Sequence, residues 1–402
     1  MITDSVAPGA TGEGLSSHSD IIPRDETVGP LEALERLVQH SRVVFTCGPG
    51  GVGKTSISAT LALHAARKGA TACVVTVDPA RRLANALGLA TLSNDPHEIP
   101  RQEWAADRDE DASGRFFALM LDAKATFDAL VKRYARSEEQ AERIVSNRFY
   151  QNIAEFLSGT QEYMAMEKLF ELTNSYHFDL VVVDTPPSRN ALDLLEAPQR
   201  LVTFLDARGF RYFLAPTGVY LRVVGAAGRG VMKMVAKAIG SNVIDDAAEF
   251  FSAFEGMYDG FKERARAVSA LMRAETTGYV LVSSPRKDAA EESSYFARRL
   301  REGGHEISAL IVNRMHPRFS SLEVGVATGR ASALSGLGEA SNRLAKAYEV
   351  LHTLDAISDG EAENLAELAG LCAPAPVVVV PVLPHDVADL ADLRELEWYL
   401  FP

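Results

Sequence analysis

Cysteine is scarce in this chain: 3 in 402 residues, Cys47, Cys73 and Cys372, far apart and without a CxxC pair. That scarcity excludes a disulfide framework and a readable zinc site, and it points to a reducing compartment. Long hydrophobic runs are missing too. A membrane span needs about 20 mostly apolar residues, whereas the most apolar stretches, 377–383 and 180–183, have the length of strands. Segment 1–20 has neither the basic flank nor the apolar run of a signal peptide. A cytoplasmic location without stable membrane insertion is therefore expected. Positive charge is in deficit, with Lys+Arg 41 against Asp+Glu 54 and a net charge of −13. With no local basic patch to override it, that balance repels nucleic-acid phosphates and anionic lipid, so no nucleic-acid partner is expected.

What is present suits a soluble core. Hydrophobic residues make up 47% and charged residues 24%, which excludes a collagenous or wholly disordered chain. The length allows two or three domains, or one large α/β unit with insertions. Residues 1–33 are expected to be a disordered tail, because the first thirty are rich in Gly, Ser and Pro and carry Asp4, Glu13, Asp20, Asp25 and Glu26 against Arg24. Apolar β-branched runs then alternate with helical segments at 43–46, 73–77, 116–121, 180–183, 279–282, 310–312 and 377–380. Runs apolar on both faces and separated by helices predict a mostly parallel sheet flanked by helices. The acidic stretch 94–115 reads as an exposed loop, and helices are expected to fill 123–175. Glycine-punctuated helical segments within 199–272 predict a helical insertion in a core made of 34–198 and 273–402. Its apolar stripes fit ordinary packing. Its Met and aromatic content also suits a ligand or client surface.

The strongest chemical signal is Gly48-Pro49-Gly50-Gly51-Val52-Gly53-Lys54-Thr55, a GxxxxGK[ST] match between strand 43–46 and helical segment 56–68, which opens at Ser56. Glycines let consecutive backbone N–H groups converge on phosphate oxygens, and the helix N-terminus adds its dipole. Lys54 reaches the β- and γ-phosphates and the Thr55 hydroxyl coordinates Mg²⁺. The pattern predicts ATP with Mg²⁺ as ligands of a P-loop fold. Two acids end strands of the same sheet. Asp184 suits the second metal-holding position, and Asp78 suits a residue that orients attacking water.

Blocks 47–56 (CGPGGVGKTS), 77–88 (VDPARRLANALG), 184–195 (DTPPSRNALDLL), 311–317 (IVNRMHP) and 380–384 (VPVLP) follow the order and spacing of the ArsA-type ATPases, which the chain resembles from about residue 40 to 390. That family includes the arsenite-pump ATPase and the targeting ATPase for tail-anchored membrane proteins. The resemblance implies a dimeric deviant-Walker ATPase with a helical subdomain. By the same resemblance Asp78 is the switch I residue that positions water, Asp184 opens switch II, and Asn313 is the adenine-contacting asparagine. Family members with a complete site carry a lysine, reaching across the dimer, where this chain has Pro49. Switch II reads DTPPSRNA in place of DTAPTGHT, and neither the paired zinc cysteines nor an arsenite-binding cysteine cluster is present. The variant blocks resemble a bacterial subgroup of unlike paired subunits. The expected assembly is a homodimer or, better, a heterodimer with a lysine-bearing paralogue, unless Arg82 or Arg189 supplies the missing cation.

Two functions compete: an ATPase whose cycle opens and closes a dimer to handle an anion, metabolite or protein client, and a poorly hydrolysing regulatory subunit. A positioning ATPase fits less well, since the terminal helix expected over 386–400 is acidic. A metabolic kinase stays open, because a P-loop identifies the nucleotide and not the acceptor.

Overall fold

The computed structural model describes residues 29–77, 82–105, 113–147, 160–206, 258–323 and 325–401. Eight strands form one sheet: β1 Val43–Cys47, β2 Thr71–Thr76, β3 His97–Ile99, β4 Arg115–Met120, β5 Leu180–Asp184, β6 Thr277–Ser283, β7 Ala309–Met315 and β8 Val377–Pro381. Their order is β3-β4-β2-β5-β1-β6-β7-β8. Every pairing is parallel except that of β3 with β4. All seven expected strands are present. β1, β5 and β6 are buried along their whole length, as strands covered on both faces must be.

The alternation of side chains divides the core in two. Val44, Val74, Val182 and Val280 point into one layer with α1 (Pro30–His40), α2 (Lys54–Arg67) and, at the chain's end, Leu393 and Leu396. Their neighbours Val43, Val75, Val181 and Leu281 point into the other. α3 (Arg82–Ala86) and α4 (Arg101–Trp104) follow β2 and β3; α5 (Ala123–Tyr134), α6 (Glu138–Ser146) and α7 (Thr160–Ser175) lie in the span expected to be helical, of which 148–159 falls outside the described residues, and α8 (Ser188–Asp206) follows β5. α9 (Tyr258–Met272), α10 (Lys287–Glu302), α11 (Val326–Leu334), α12 (Glu339–Cys372) and α13 (Leu390–Leu400) complete the described helices. None of them is long and apolar enough to cross a membrane. The result is the expected doubly covered P-loop sheet.

Four boundaries differ from the expectations. α1 opens at Pro30, within the tail expected at 1–33, and buries Leu34; residues 1–28 lie outside the described set. The stretch 94–115 is not all exposed loop: β3 and α4 lie in it, and Ile99 and Trp104 are buried. Their apolar groups are too few for a periodic signal, yet they close the sheet's edge. α8 runs through the boundary expected at 198–199, while 207–257, most of the expected insertion, lies outside the described residues. The last helix starts at Leu390, not 386, because Asp389 and Asp392 form a capping box there.

One cluster fixes the helix that carries the glycine loop. His64 on α2 is buried, with Nε2 2.6 Å from a Glu35 carboxylate oxygen of α1 and Nδ1 2.7 Å from one of Glu397 on α13. Its ring stacks on Phe401 at 3.7 Å between centroids, and Arg67 pairs with Glu397. The two ends of the described chain are thereby bolted to α2.

Candidate phosphate-binding site

The loop between β1 and α2 is shaped by glycines at left-handed φ: 79° at Gly51 and 93° at Gly53, the N-cap of α2. Gly48 has a φ of 144°, and a Cβ there would run into the carbonyl oxygen of Val282 on β6. Glycine at that position is a steric demand. α2 has no acid of its own in its first turn to compete for its N-terminal N–H groups, and its positive dipole end faces the loop. Lys54 is buried, its Nζ donating to the carbonyl oxygens of Gly48 at 3.1 Å and Pro49 at 2.8 Å. Pro49 is buried, and Gly50 lies beside Pro187 at the start of the segment after β5.

β5 lies between β1 and β2, and the register sets Asp184 opposite both Thr46 and Thr76. Asp184 Oδ2 accepts hydrogen bonds from the hydroxyls of Thr55 at 2.8 Å and Thr76 at 3.0 Å. The two expected metal ligands, Thr55 and Asp184, are thus brought together. Oxygen donors of this kind suit a hard cation such as Mg²⁺. Behind them, the Thr46 hydroxyl donates to Val183 O at 3.1 Å and lies 2.5 Å from the Ser58 hydroxyl, which donates to Lys54 O. Val77 N donates to Asp184 O at 3.1 Å, so the chain leaves β2 beside Asp184; Asp78 itself lies outside the described residues.

On the other side, β7 brings Asn313 to the loop. Its Nδ2 donates to Val52 O at 2.9 Å, and Nη1 of Arg314 donates to Gly51 O at 3.3 Å. The following segment is held by α12. Asp355 accepts from Phe319 N at 2.9 Å, Ser320 N at 3.3 Å and the Ser320 hydroxyl, Glu361 accepts from His316 N at 2.8 Å, and Arg318 pairs with Asp359 at 3.1 Å. Thr76, Arg314, Asp355 and Glu361 were not expected at the site. Thr76 and Arg314 each stand within two residues of an expected one, a signal that was available; Asp355 and Glu361 lie in the middle of a long helix and gave none. Arg82 opens α3, and Arg189 lies in α8. Burial raises the Cys47 thiol to about 12 and raises Cys73 as well, so neither is a thiolate ligand.

The family model of the anion-transporting ATPases matches residues 41–323, which span β1, the glycine loop, Asp184 and Asn313. The chain belongs to the anion-transporting ATPase family. Among curated relatives of this family member, ATPase GET3B of Arabidopsis thaliana is 26% identical over 291 residues, 68% of this chain and 64% of that protein. The putative arsenical pump-driving ATPase of Halobacterium salinarum is 29% identical over 218 residues, 52% of this chain and 32% of that one. The arsenical pump-driving ATPase of Acidiphilium multivorum is 22% identical over 355 residues, 86% of this chain and 52% of that one. The aligned part thus spans from about a third to about two thirds of these anion-transporting ATPase relatives.

Proposed function

We propose that the chain binds ATP with Mg²⁺ at the glycine loop, hydrolyses it, and uses the cycle to open and close a dimer that handles an anion, metabolite or protein client. The observation that carries this reading is the 2.8 Å bond between the Thr55 hydroxyl and the Asp184 carboxylate, beside the buried Lys54. Thr55 and Asp184 are the residues to hold Mg²⁺, which when bound neutralises charge on the β- and γ-phosphate oxygens. Lys54 exchanges its two loop carbonyls for phosphate oxygens, and the α2 N-terminus adds N–H donors. Asp78 is assigned the orientation of the attacking water. Asn313, with Nδ2 engaged by Val52 O, keeps its Oδ1 as the acceptor for an adenine amine. Free, buried cysteines support a reducing, cytoplasmic setting.

A second reading, a poorly hydrolysing regulatory subunit paired with a lysine-bearing paralogue, is favoured by Pro49: the residue is buried and offers no charge to a partner's phosphates. Turnover by the full chain alone, by Pro49→Lys and by a mixture with such a paralogue separates the two. Slow hydrolysis alone, raised at least about tenfold by either change, is the expected outcome for an unequal pair, since a cation supplied across an interface is worth orders of magnitude in phosphoryl transfer. Brisk hydrolysis by the unaltered chain, indifferent to both, leaves a homodimeric ATPase and removes the regulatory reading.

A further inference from the structure

Two irregularities coincide at the end of β7. The pairing with β8 slips between Val312 and Met315, and Arg314 adopts a φ of 65°, a left-handed conformation that residues with a Cβ avoid. Bulges beside functional sites re-aim side chains, and backbone strain of this kind persists where the surroundings impose it. Here the two re-aimed side chains end on consecutive carbonyls of the glycine loop: Arg314 Nη1 on Gly51 O at 3.3 Å and Asn313 Nδ2 on Val52 O at 2.9 Å. In a trans peptide the carbonyl and the next N–H point in opposite directions. Turning carbonyls 51 and 52 toward β7 therefore turns the N–H groups of Val52 and Gly53 away from it, as a loop that receives an anion on successive N–H groups requires. The Arg314 side chain is 54% exposed, with Asp386 Oδ1 3.5 Å from its guanidinium, so core packing does not force this contact.

We propose that the Asn313–Arg314 bulge is a strut for the phosphate loop, and that Arg314 is a positioning residue for triphosphate recognition, not a contact to the nucleobase. The inference rests on the nucleotide reading above. It predicts a separation of stability from affinity. Arg314→Gly removes the guanidinium and places at φ 65° the one residue that adopts it freely. Its thermal midpoint should match or exceed that of the wild type, while its affinity falls. The loss should be about tenfold, the worth of one hydrogen bond from a charged donor. Because the strut acts on the loop, the factor should be the same for ATP and for inorganic triphosphate. Arg314→Lys, which keeps a cationic donor, should recover part of it.

The experiment is calorimetric titration of the full chain and both variants with Mg·ATP and with Mg·triphosphate, alongside thermal melts. Equal losses for the two ligands at an undiminished midpoint support the strut. A loss confined to ATP would place Arg314 on the base or ribose and overturn it. So would unchanged affinities, with or without a lowered midpoint. Wild-type protein that binds ATP but not triphosphate would also overturn it, since the base and not the loop would then be the anchor. Wild-type protein that binds neither would remove the nucleotide reading itself, a result distinct from the failure of the strut alone.

Discussion

At the ends of β1 and β5 the polar side chains bond to one another, Thr55 and Thr76 to Asp184 and Thr46 to Ser58, and all but Thr55 are buried. Beyond β7 the acids of α12 hold a segment by its backbone as well as its side chains: Asp355 accepts from Phe319 N, Ser320 N and the Ser320 hydroxyl, Glu361 from His316 N, and Arg318 pairs with Asp359 and donates to Leu322 O. The first region gathers oriented hydroxyls, a carboxylate and a cation with little water around them, an arrangement in which each charge acts strongly on an incoming ligand. The second commits its acids to keeping a segment in place. On the nucleotide reading proposed above, one end serves ligand chemistry and the other anchorage, and they meet where Asn313 and Arg314 touch the loop.

If that division is right, removal at the first end costs binding and removal at the second costs stability. Lys54→Ala is the larger test. The ammonium now rests on the Gly48 and Pro49 carbonyls, and two charged hydrogen bonds to phosphate are worth about 3–6 kcal/mol together. ATP affinity should fall by at least about a hundredfold, with thermal stability near wild type. Wild-type affinity by calorimetry would break the comparison at its stronger end. Asp355→Ala should behave in the opposite way. Asp355 is 7% exposed and its carboxylate accepts two N–H groups and a hydroxyl, so its loss should destabilise the chain by about 2–4 kcal/mol. ATP affinity should change by less than about threefold. A lower denaturation midpoint with affinity retained supports the anchorage role; lost affinity at an unchanged midpoint refutes it.

The same division explains what could be read from the sequence. The glycine loop is one contiguous run whose chemistry is set by residue types a few positions apart, and Asp184 ends a run, Leu180–Asp184, that only a buried strand explains. Both were legible, as were the seven longer strands. Asn313 was assigned through family resemblance, and the structure brings it to the loop through Val52 O. The anchors were not legible, because Asp355 and Glu361 act on residues 35 to 45 positions earlier and no local pattern in α12 marks them. β3 escaped because a three-residue edge strand has no periodicity, although Ile99 and the buried Trp104 within an acidic stretch were a hint of packing. The DTPPSRNA variant gave no geometric expectation for Pro187, which lies over Gly50.

The smallest expected effect tests how dry the first region is. Cys47 is the last residue of β1, directly before the loop, and it is fully buried. Burial pushes its thiol up to about 12, against the opposing pull of the Thr185 hydrogen bond and the Lys54 charge. At pH 8 the thiolate fraction is then about one part in ten thousand, and the thiolate is the form that alkylates. Native full-length protein should therefore leave Cys47 unmodified by iodoacetamide at pH 8, as judged by mass of the peptide, while urea-unfolded protein is labelled there. The sign of the pH dependence follows. With the folded value raised above 9.0, the native state holds the proton that the unfolded state releases. The contribution to stability is complete below about pH 9 and is lost as pH rises toward about 12. Cys47→Ala should remove that part of the alkaline loss and leave the neutral pH dependence unchanged. Labelling of Cys47 in the native chain at a rate near that of the unfolded one would mean that water reaches the end of β1. The account of the first region as one with little water around its charges would then fail.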